Sequence, residues 1–416
     1  MAHVLILSQV FPPDAVSTAQ IMGDLAVDLM AKGHSVTVLT TCPHYNRDEE
    51  AEAAQPLKRR WGPLLKCSTF HGAEVLHTMM PQKSKGVWRR ILAWMGFHAI
   101  STVAGMAIPR RVNVIITPSP PLTIGLSAWL LGLFHRCPYV YNVQEIYPDI
   151  AIRLGALKNG FAARVLFRLE RFVYDHAARI TVIAPNMREN LLAKGTPPEK
   201  VEVIPNFVDL NQLSPVPKDN PFSRDHGLVD YFVVAYAGNM GPAQGLETLV
   251  DAAALLRERG EIKFLFMGNG TLQDTLRESI EARGLQNVVF LPYQPYSVMP
   301  MAYGASDLNV VPLAATTGGD ALPSKIYRIM ACARPVLAIT ERGSDLANLV
   351  ESVGCGFCCQ PGNAALLAET ILAAYEARDG LASLGAAGRT CVEQKYSRLA
   401  VTGRYEELVR SLCLHA

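Results

Sequence analysis

Short apolar runs alternate with longer amphipathic stretches along nearly the whole chain. Residues 4–7 are an apolar run of strand length. Over 18–31 the apolar positions Ile21, Leu25, Leu29 and Met30 fall on one helical side, Gly33 ends that stretch, and 36–39 is apolar again. Strand, helix and strand in this order predict a βαβ unit with parallel strands and a right-handed crossover. The pattern continues with strands at 112–117, 139–142, 180–184 and 201–205, and with helices at 122–134, 160–175 and 186–194.

The rhythm breaks over 209–224, where Pro215, Pro217, Asp219, Asn220 and Pro221 crowd together. A second series follows, with strands at 232–236, 263–267, 288–291, 308–311, 336–338 and 356–359. Helices are predicted between them at 245–259, 271–283, 324–333 and 364–377. The expected fold is α/β, with two Rossmann-like doubly wound parallel-sheet domains facing across a cleft. The predicted boundaries are 1–212 for the first domain, 213–392 for the second, and 393–416 for a helical tail packing back towards the first. Open α/β sheets bind ligands beyond the carboxyl ends of their strands, so chemistry is sought in the loops that follow strands.

Composition narrows the class. Half of the 416 residues are hydrophobic and 18% are charged, so core material is ample and disorder is excluded. Gly 31 and Pro 27 are ordinary counts and exclude collagen-like and linker classes. A net charge of +2 gives no argument for a nucleic-acid partner. The balance is uneven, however: residues 1–212 carry 22 basic against 16 acidic side chains, and the remainder 17 against 21. Over 56–144 eleven basic residues stand with one acid, Glu74, which predicts attraction to phosphate or to an anionic membrane surface.

Nine cysteines include the close set Cys355, Cys358 and Cys359, but no second pair completes a four-ligand zinc set, and they read as small buried apolar residues. The ten histidines form no metal-ligand pattern, so no metal site is expected, and His34 reads as structural. The opening strand lacks a basic leader, which predicts no signal peptide and a reducing, cytoplasmic setting.

Five segments are candidates for chemistry. Gly238, Asn239, Gly241, Gln244 and Gly245 form a glycine-rich loop between a strand and a helix, either a phosphate cradle or a plain tight turn. Around Gly318, Gly319, Asp320, Ser324, Lys325 and Arg328, Ser324 reads as an N-cap, with two cations in the first turn that it opens. Cations there oppose the helix dipole, which an anion at the same place would reconcile. Gly268 and Gly270, together with Tyr293, end two strands and would frame a nucleobase. Gln144, Glu145 and Asp149 follow a strand in the first half; the carboxylates would bind sugar hydroxyls, act as acid or base, or merely cap a helix. Finally, 91–108 is largely apolar between Arg89, Arg90, Arg110 and Arg111. It reads as a buried core helix, with a surface-lying membrane helix carrying Trp88 and Trp94 as the alternative.

Several motifs in order resemble one family. They are Phe11-Pro12-Pro13, Lys32-Gly33-His34, Tyr147-Pro148-Asp149, Val203-Ile204-Pro205-Asn206-Phe207, Ala237-Gly238-Asn239-Met240-Gly241, Met267-Gly268-Asn269-Gly270, Ala305-Ser306-Asp307, Leu322-Pro323-Ser324-Lys325 and Arg334-Pro335-Val336. Together they resemble GT-B-fold glycosyltransferases of the retaining family 4 type, nearest to the bacterial capsule, O-antigen and colanic-acid branch. Relatives usually carry two acids separated by seven residues; here those positions hold Asp320 and Arg328.

The resemblance implies a UDP- or GDP-linked sugar as donor and no cofactor besides. It implies that Asp320 holds donor-sugar hydroxyls. Lys325, Arg328, the helix start at Ser324 and the loop amides from Gly238 to Gly245 would hold the diphosphate. Gly268, Gly270, Tyr293 and Gly319 would frame the nucleotide, and Gln144, Glu145 and Asp149 would face the acceptor. The catalytic set is thus Asp320, Lys325, Glu145 and Asp149. A polyprenyl-diphosphate-linked glycan at the inner face of the cytoplasmic membrane fits the basic stretch as acceptor. The alternatives are a nucleotide-sugar 2-epimerase of the same fold and a catalytically silent partner subunit.

Overall fold

The structure, a computed structural model, describes residues 1–14, 16–44, 49–62, 64–79, 87–153, 155–315 and 322–414. Two compact units divide the chain. The first comprises 1–206 and 399–416, the second 207–398.

In the first unit the elements run β1 (His3–Leu7), α1 (Ser17–Ala31), β2 (Ser35–Thr41), α2 (Glu49–Ala54), β3 (Lys58–Trp61), β4 (Leu65–Phe70), β5 (Ala73–Thr78) and α3 (Val87–Met106). They continue β6 (Val114–Ser119), α4 (Ile124–His135), β7 (Tyr139–Val143), α5 (Asp149–Arg153), α6 (Phe161–His176), β8 (Arg179–Val182), α7 (Pro185–Ala193) and β9 (Val201–Val203). The sheet has nine strands in the order β3-β4-β5-β2-β1-β6-β7-β8-β9. Its strands from β5 to β9 are parallel, and the order reverses between β1 and β6.

Sequence pattern missed β3, β4 and β5, and the sheet is not wholly parallel: β3–β4 and β4–β5 pair antiparallel. The reason is visible in β3, whose four residues are all exposed, so no apolar alternation marks it. Part of the positive charge noted over 56–144 therefore lies on a solvated edge strand, where Arg60 pairs with Glu74.

The second unit runs α8 (Pro221–Asp225), β10 (Phe232–Ala237), α9 (Glu247–Leu255), β11 (Ile262–Met267), α10 (Gln273–Ala282), β12 (Val288–Leu291), α11 (Met299–Gly304) and β13 (Leu308–Pro312). It continues α12 (Lys325–Ala331), β14 (Val336–Ile339), α13 (Asp345–Val353), β15 (Gly356–Cys359), α14 (Ala364–Glu376) and α15 (Leu381–Cys391). Six strands pair in parallel in the order β12-β11-β10-β13-β14-β15, reversing between β10 and β13. β10 is buried along its whole length, as a central strand with both faces covered must be. α9 and α14 cover one face, their apolar sides meeting Phe232, Phe264 and Leu337.

The helix predicted from Gly245 begins at Glu247, because Gly245 adopts a left-handed φ of 58° that no α-helix continues through. The predicted tail helix is interrupted: residues 392–396 form a π-helix, and α16 (Arg398–Leu414) starts after it. From Leu399 onward the tail belongs to the first unit, where Thr402 Oγ1 donates to Asp28 at 2.9 Å and Tyr405 lies against Asn142 at 2.9 Å. His34 is buried as expected, accepting from the amide of Ala2 and standing 3.4 Å from Glu406.

The apolar helix α3 is buried on one side only, where Phe97, Ser101 and Ala104 are covered. One face packs on α4 while Met95 and Val103 stand open to solvent. Among the described residues, no helix is long and apolar enough to cross a membrane.

Candidate active site

The switch point of the second sheet, between β10 and β13, is where a crevice must open at the carboxyl ends of the strands. The loops after β10 and β11 meet there. Gly238 donates its amide to Met267 O at 2.9 Å, and Met240 donates to Asn269 O at 2.8 Å. The two loops lie so close that a Cβ on Gly268 would stand 1.9 Å from Gly238 O, and one on Gly270 2.3 Å from Met240 O. Both glycines also hold φ near +150°, at 146° and 158°. Their first role is therefore to let one loop lie on the other.

This corrects part of the expected phosphate cradle. Gly241 donates its amide to Gln244 Oε1 at 3.1 Å, and Gln244 donates its own to Gly241 O at 3.2 Å. With Gly238 and Met240, four amides of the loop already have protein acceptors. Gln244 acts as a brace inside the loop, also receiving Asn239 Nδ2 at 3.5 Å.

The positive charge at the switch point is Lys325. Its Nζ lies 3.7 Å from the centroid of the Tyr236 ring, and a Cβ on Gly238 would meet it at 2.8 Å. β10 supplies Tyr236 and the loop after β13 leads into α12, so the two strands flanking the switch bring these groups together. Among the described residues no carboxylate pairs with Lys325, and only the ring face compensates its charge. Burial, and then the nearby Arg328 cation, pull its pKa down to about 7. A desolvated ammonium without a counter-ion is costly and is relieved by an incoming anion.

Arg328 lies one turn on, its guanidinium 5.1 Å from the Tyr296 ring. Ser324 precedes α12 but is helical itself, at φ −59° and ψ −17°, and its side chain makes no capping hydrogen bond, contrary to expectation. Tyr293 is exposed in the loop after β12, beside the same sheet end. Gly319 and Asp320 lie outside the described residues.

In the first unit, Gln144 and Glu145 follow β7 and Asp149 opens α5. Gln144 does not reach outward as expected. Its Nε2 donates to Asn142 Oδ1 at 2.7 Å and to Asn206 Oδ1 at 3.1 Å, and its Oε1 accepts from Asn206 Nδ2 at 2.8 Å. Glu145 is exposed. Asp149 is held by Lys194 at 2.6 Å, and the same ammonium reaches the buried Glu170 at 2.7 Å. Asp149 thus pins α5 to α6 and α7, and of the expected acceptor-side set Glu145 alone is presented to solvent.

Sequence reading missed Tyr236, Lys194 and Glu170. Glu170 carried a signal: it is an acid among apolar positions of an amphipathic helix, which requires a partner. Tyr236 carried none, since an aromatic in a buried strand is ordinary core. Cys355 and Cys359 are buried and Cys358 half-buried. Burial pushes the Cys355 thiol up to about 12.

Two doubly wound α/β units, one with a cationic switch point, make up the architecture of the GT-B glycosyltransferases. Solved structures with this fold include Anabaena Alr3699/HepE in complex with UDP and glucose, at a TM-score of 0.74 and 18% identity over 99% of this chain and all of that one. Another is WaaG, a glycosyltransferase involved in lipopolysaccharide biosynthesis, at 0.68 and 14% over 98% and 99%.

Residues 18–206 match the glycosyl transferase 4-like domain, and residues 219–390 match glycosyl transferases group 1. The probable glycosyltransferase WbjE of Pseudomonas aeruginosa is 28% identical over 73% of this chain and 76% of its own length. The putative colanic acid biosynthesis glycosyl transferase WcaI of Escherichia coli K12 is 25% identical over 86% and 88%. The chain belongs to this glycosyltransferase family and is a transferase.

Proposed function

We propose that the protein moves a sugar, with retained anomeric configuration, from a UDP- or GDP-linked donor to a polyprenyl-diphosphate-linked glycan in cell-surface polysaccharide assembly. The observation that carries the donor half is the Lys325 ammonium at the switch point of the second sheet, which no carboxylate among the described residues pairs. As the glycosidic bond to the donor phosphate breaks, negative charge grows on the leaving diphosphate. A fixed cation in a dry site stabilises that charge more in the transition state than in the ground state. Lys325 supplies the charge and Arg328 adds to it. Glu145, exposed in the loop after β7, meets an acceptor hydroxyl in this reading.

The acceptor half is supported by the relatives, whose names concern colanic acid and lipopolysaccharide, and by the basic character of the first unit. Calorimetry with UDP- and GDP-sugars tests the donor site. Lys325→Glu is expected to weaken nucleotide binding at least about tenfold, and unchanged binding overturns the assignment. Donor turnover that requires a lipid-linked acceptor supports transfer, whereas turnover without acceptor points to an epimerase. The anomeric proton coupling of the product reports retention.

A further inference from the structure

The loop after β7 is held by a chain of side-chain amides. Asn142, near the end of β7, is fully buried, and its Nδ2 donates to Thr181 Oγ1 of β8 and to the Tyr405 hydroxyl of α16, both at 2.9 Å. Its Oδ1 accepts from Gln144 Nε2 at 2.7 Å. Gln144 and Asn206 then meet amide to amide. Gln144 Nε2 donates to Asn206 Oδ1 at 3.1 Å, and Asn206 Nδ2 donates back to Gln144 Oε1 at 2.8 Å. The main chain is fixed as well: the N–H of Gln144 donates to Ser119 Oγ, at the end of β6, at 3.3 Å, and that hydroxyl donates to Glu145 O at 3.4 Å.

No one of these amides can turn alone. A flipped Gln144 would set its Oε1 against the oxygens of Asn142 and Asn206. Asn142, Thr181, Asn206, Ser119 and Tyr405 are all buried. Apolar side chains of similar size would serve stability about as well, since replacing both partners of a buried hydrogen bond by apolar groups is close to neutral. What apolar packing lacks is direction. Directed bonds between rigid planar groups specify where the segment that they end on must stand.

That segment carries Glu145, the member of the acceptor-side set presented to solvent. Beyond it, Lys194 holds Asp149 at 2.6 Å, so the loop is fastened on both sides of Glu145. The amide chain itself runs to Asn206, the last residue of the first unit before the chain passes into the second, and to α16, by which the chain returns.

We propose that Gln144, Asn206 and Asn142 are positioning residues that set Glu145 against the acceptor hydroxyl. The proposal rests on the reading of Glu145 as the acceptor-facing acid and adds the side chains that place it.

Asn206→Leu removes the amide that answers Gln144 and fills its volume. Transfer from the nucleotide sugar to a polyprenyl-diphosphate-linked oligosaccharide should lose at least about tenfold in kcat, with the donor Kd unchanged. Should that variant not fold, Gln144→Leu with Asn206→Leu leaves neither member of the pair half-answered and takes its place. A double-mutant cycle with Glu145→Gln separates positioning from general damage. If Asn206 acts through Glu145, adding Asn206→Leu to Glu145→Gln costs no more than about twofold further, and losses that multiply overturn the proposal.

Hydrogen exchange needs no substrate. In the Asn206→Leu protein the amides of 144–147 are expected to exchange at least about tenfold faster, while β6, β7 and β8 keep their protection. Unchanged exchange in the loop overturns the proposal, and so does exchange that rises across the whole sheet. A wild type that binds nucleotide sugar yet transfers none overturns the reading of Glu145, and the exchange of the loop still decides whether the amides hold it.

Discussion

The ammonium of Lys325 rests on the ring face of Tyr236, 3.7 Å from its centroid, across the switch point of the second sheet. One group comes from the strand before the reversal and the other from the helix that follows the strand beyond it. Their contact makes the end of the sheet positive, and among the described residues no carboxylate balances it. Three predictions rest on this contact and the loops around it, and a fourth on a buried ion pair of the first unit.

Nucleotide binding should fall as pH rises. Lys325 has its pKa lowered to about 7 in the unliganded protein, and a bound diphosphate raises it again. Below pH 7 the ammonium is already present and affinity is flat. Above it, binding must draw a proton from solution, and affinity drops about tenfold per pH unit until the pKa of the complex is reached. Calorimetry in buffers of different ionisation enthalpy should show proton uptake at pH 8. A flat profile from pH 6 to 9, or equal heats in all buffers, contradicts it.

Tyr236→Phe keeps the ring under Lys325 but removes the hydroxyl that donates to Asn239 O. About 1 kcal/mol of stability should go with it, measured by denaturant unfolding. Tyr236→Leu removes the ring face as well, and the Lys325 pKa, followed by NMR, should fall further. No movement in the Leu variant means that the ring does not help to hold the charge.

Gly268→Ala should be among the most damaging single changes in the second unit. A Cβ there meets Gly238 O at 1.9 Å, and φ is 146°. The loops after β10 and β11 must separate, at a cost of ~3 kcal/mol or more. Thermal unfolding checks the magnitude, and weakened nucleotide binding should accompany it. By contrast Gly284→Ala, with nothing near its Cβ and φ 61°, strains only its own backbone and should cost about 1 kcal/mol.

Lys194→Ala leaves Glu170 buried without its counter-ion and should destabilise the first unit by about 3 kcal/mol near neutral pH. Burial already raises the Glu170 pKa in the folded protein, and the lysine opposes that rise. Without Lys194 the folded-state pKa climbs higher, so the folded protein takes up a proton more readily than the unfolded chain. The loss should therefore shrink as pH falls towards the usual carboxylate range and grow as pH rises through the folded-state value. Adding Glu170→Gln should recover part of the loss at pH 7. A penalty that does not vary with pH argues that Lys194 matters only through packing.

Much of the architecture was readable from residue pattern, because parallel strands buried on both faces are unbroken apolar runs. β10, β11 and β13 announce themselves in this way, as do α1 and α6 by their spacing. The edge strand β3 was not readable, since an exposed strand of Lys and Arg resembles a loop; β5 is buried, and its short apolar run was passed over. The glycine-rich loops were recognisable as special, but their purpose was not. Gly268 and Gly270 look like ligand-facing glycines in one dimension, and in three they face another stretch of backbone. Asp149 reads in sequence as an acceptor-side acid or a helix cap, and only the packing of α5 on α6 and α7 shows Lys194 holding it.

Read alone, the order of residues established two α/β halves, the loops that end their strands, and the presence of Lys325 just beyond one of them. These are local properties, written in hydrophobic period and in the residue types that stop helices and strands. Which cation rests on a ring face, which amides are already spent, and which apolar side chains are left uncovered were settled by tertiary packing. Those properties depend on neighbours tens or hundreds of residues away. Tyr236 and Lys325, or Thr123 and His98, become partners only when the chain has folded around them.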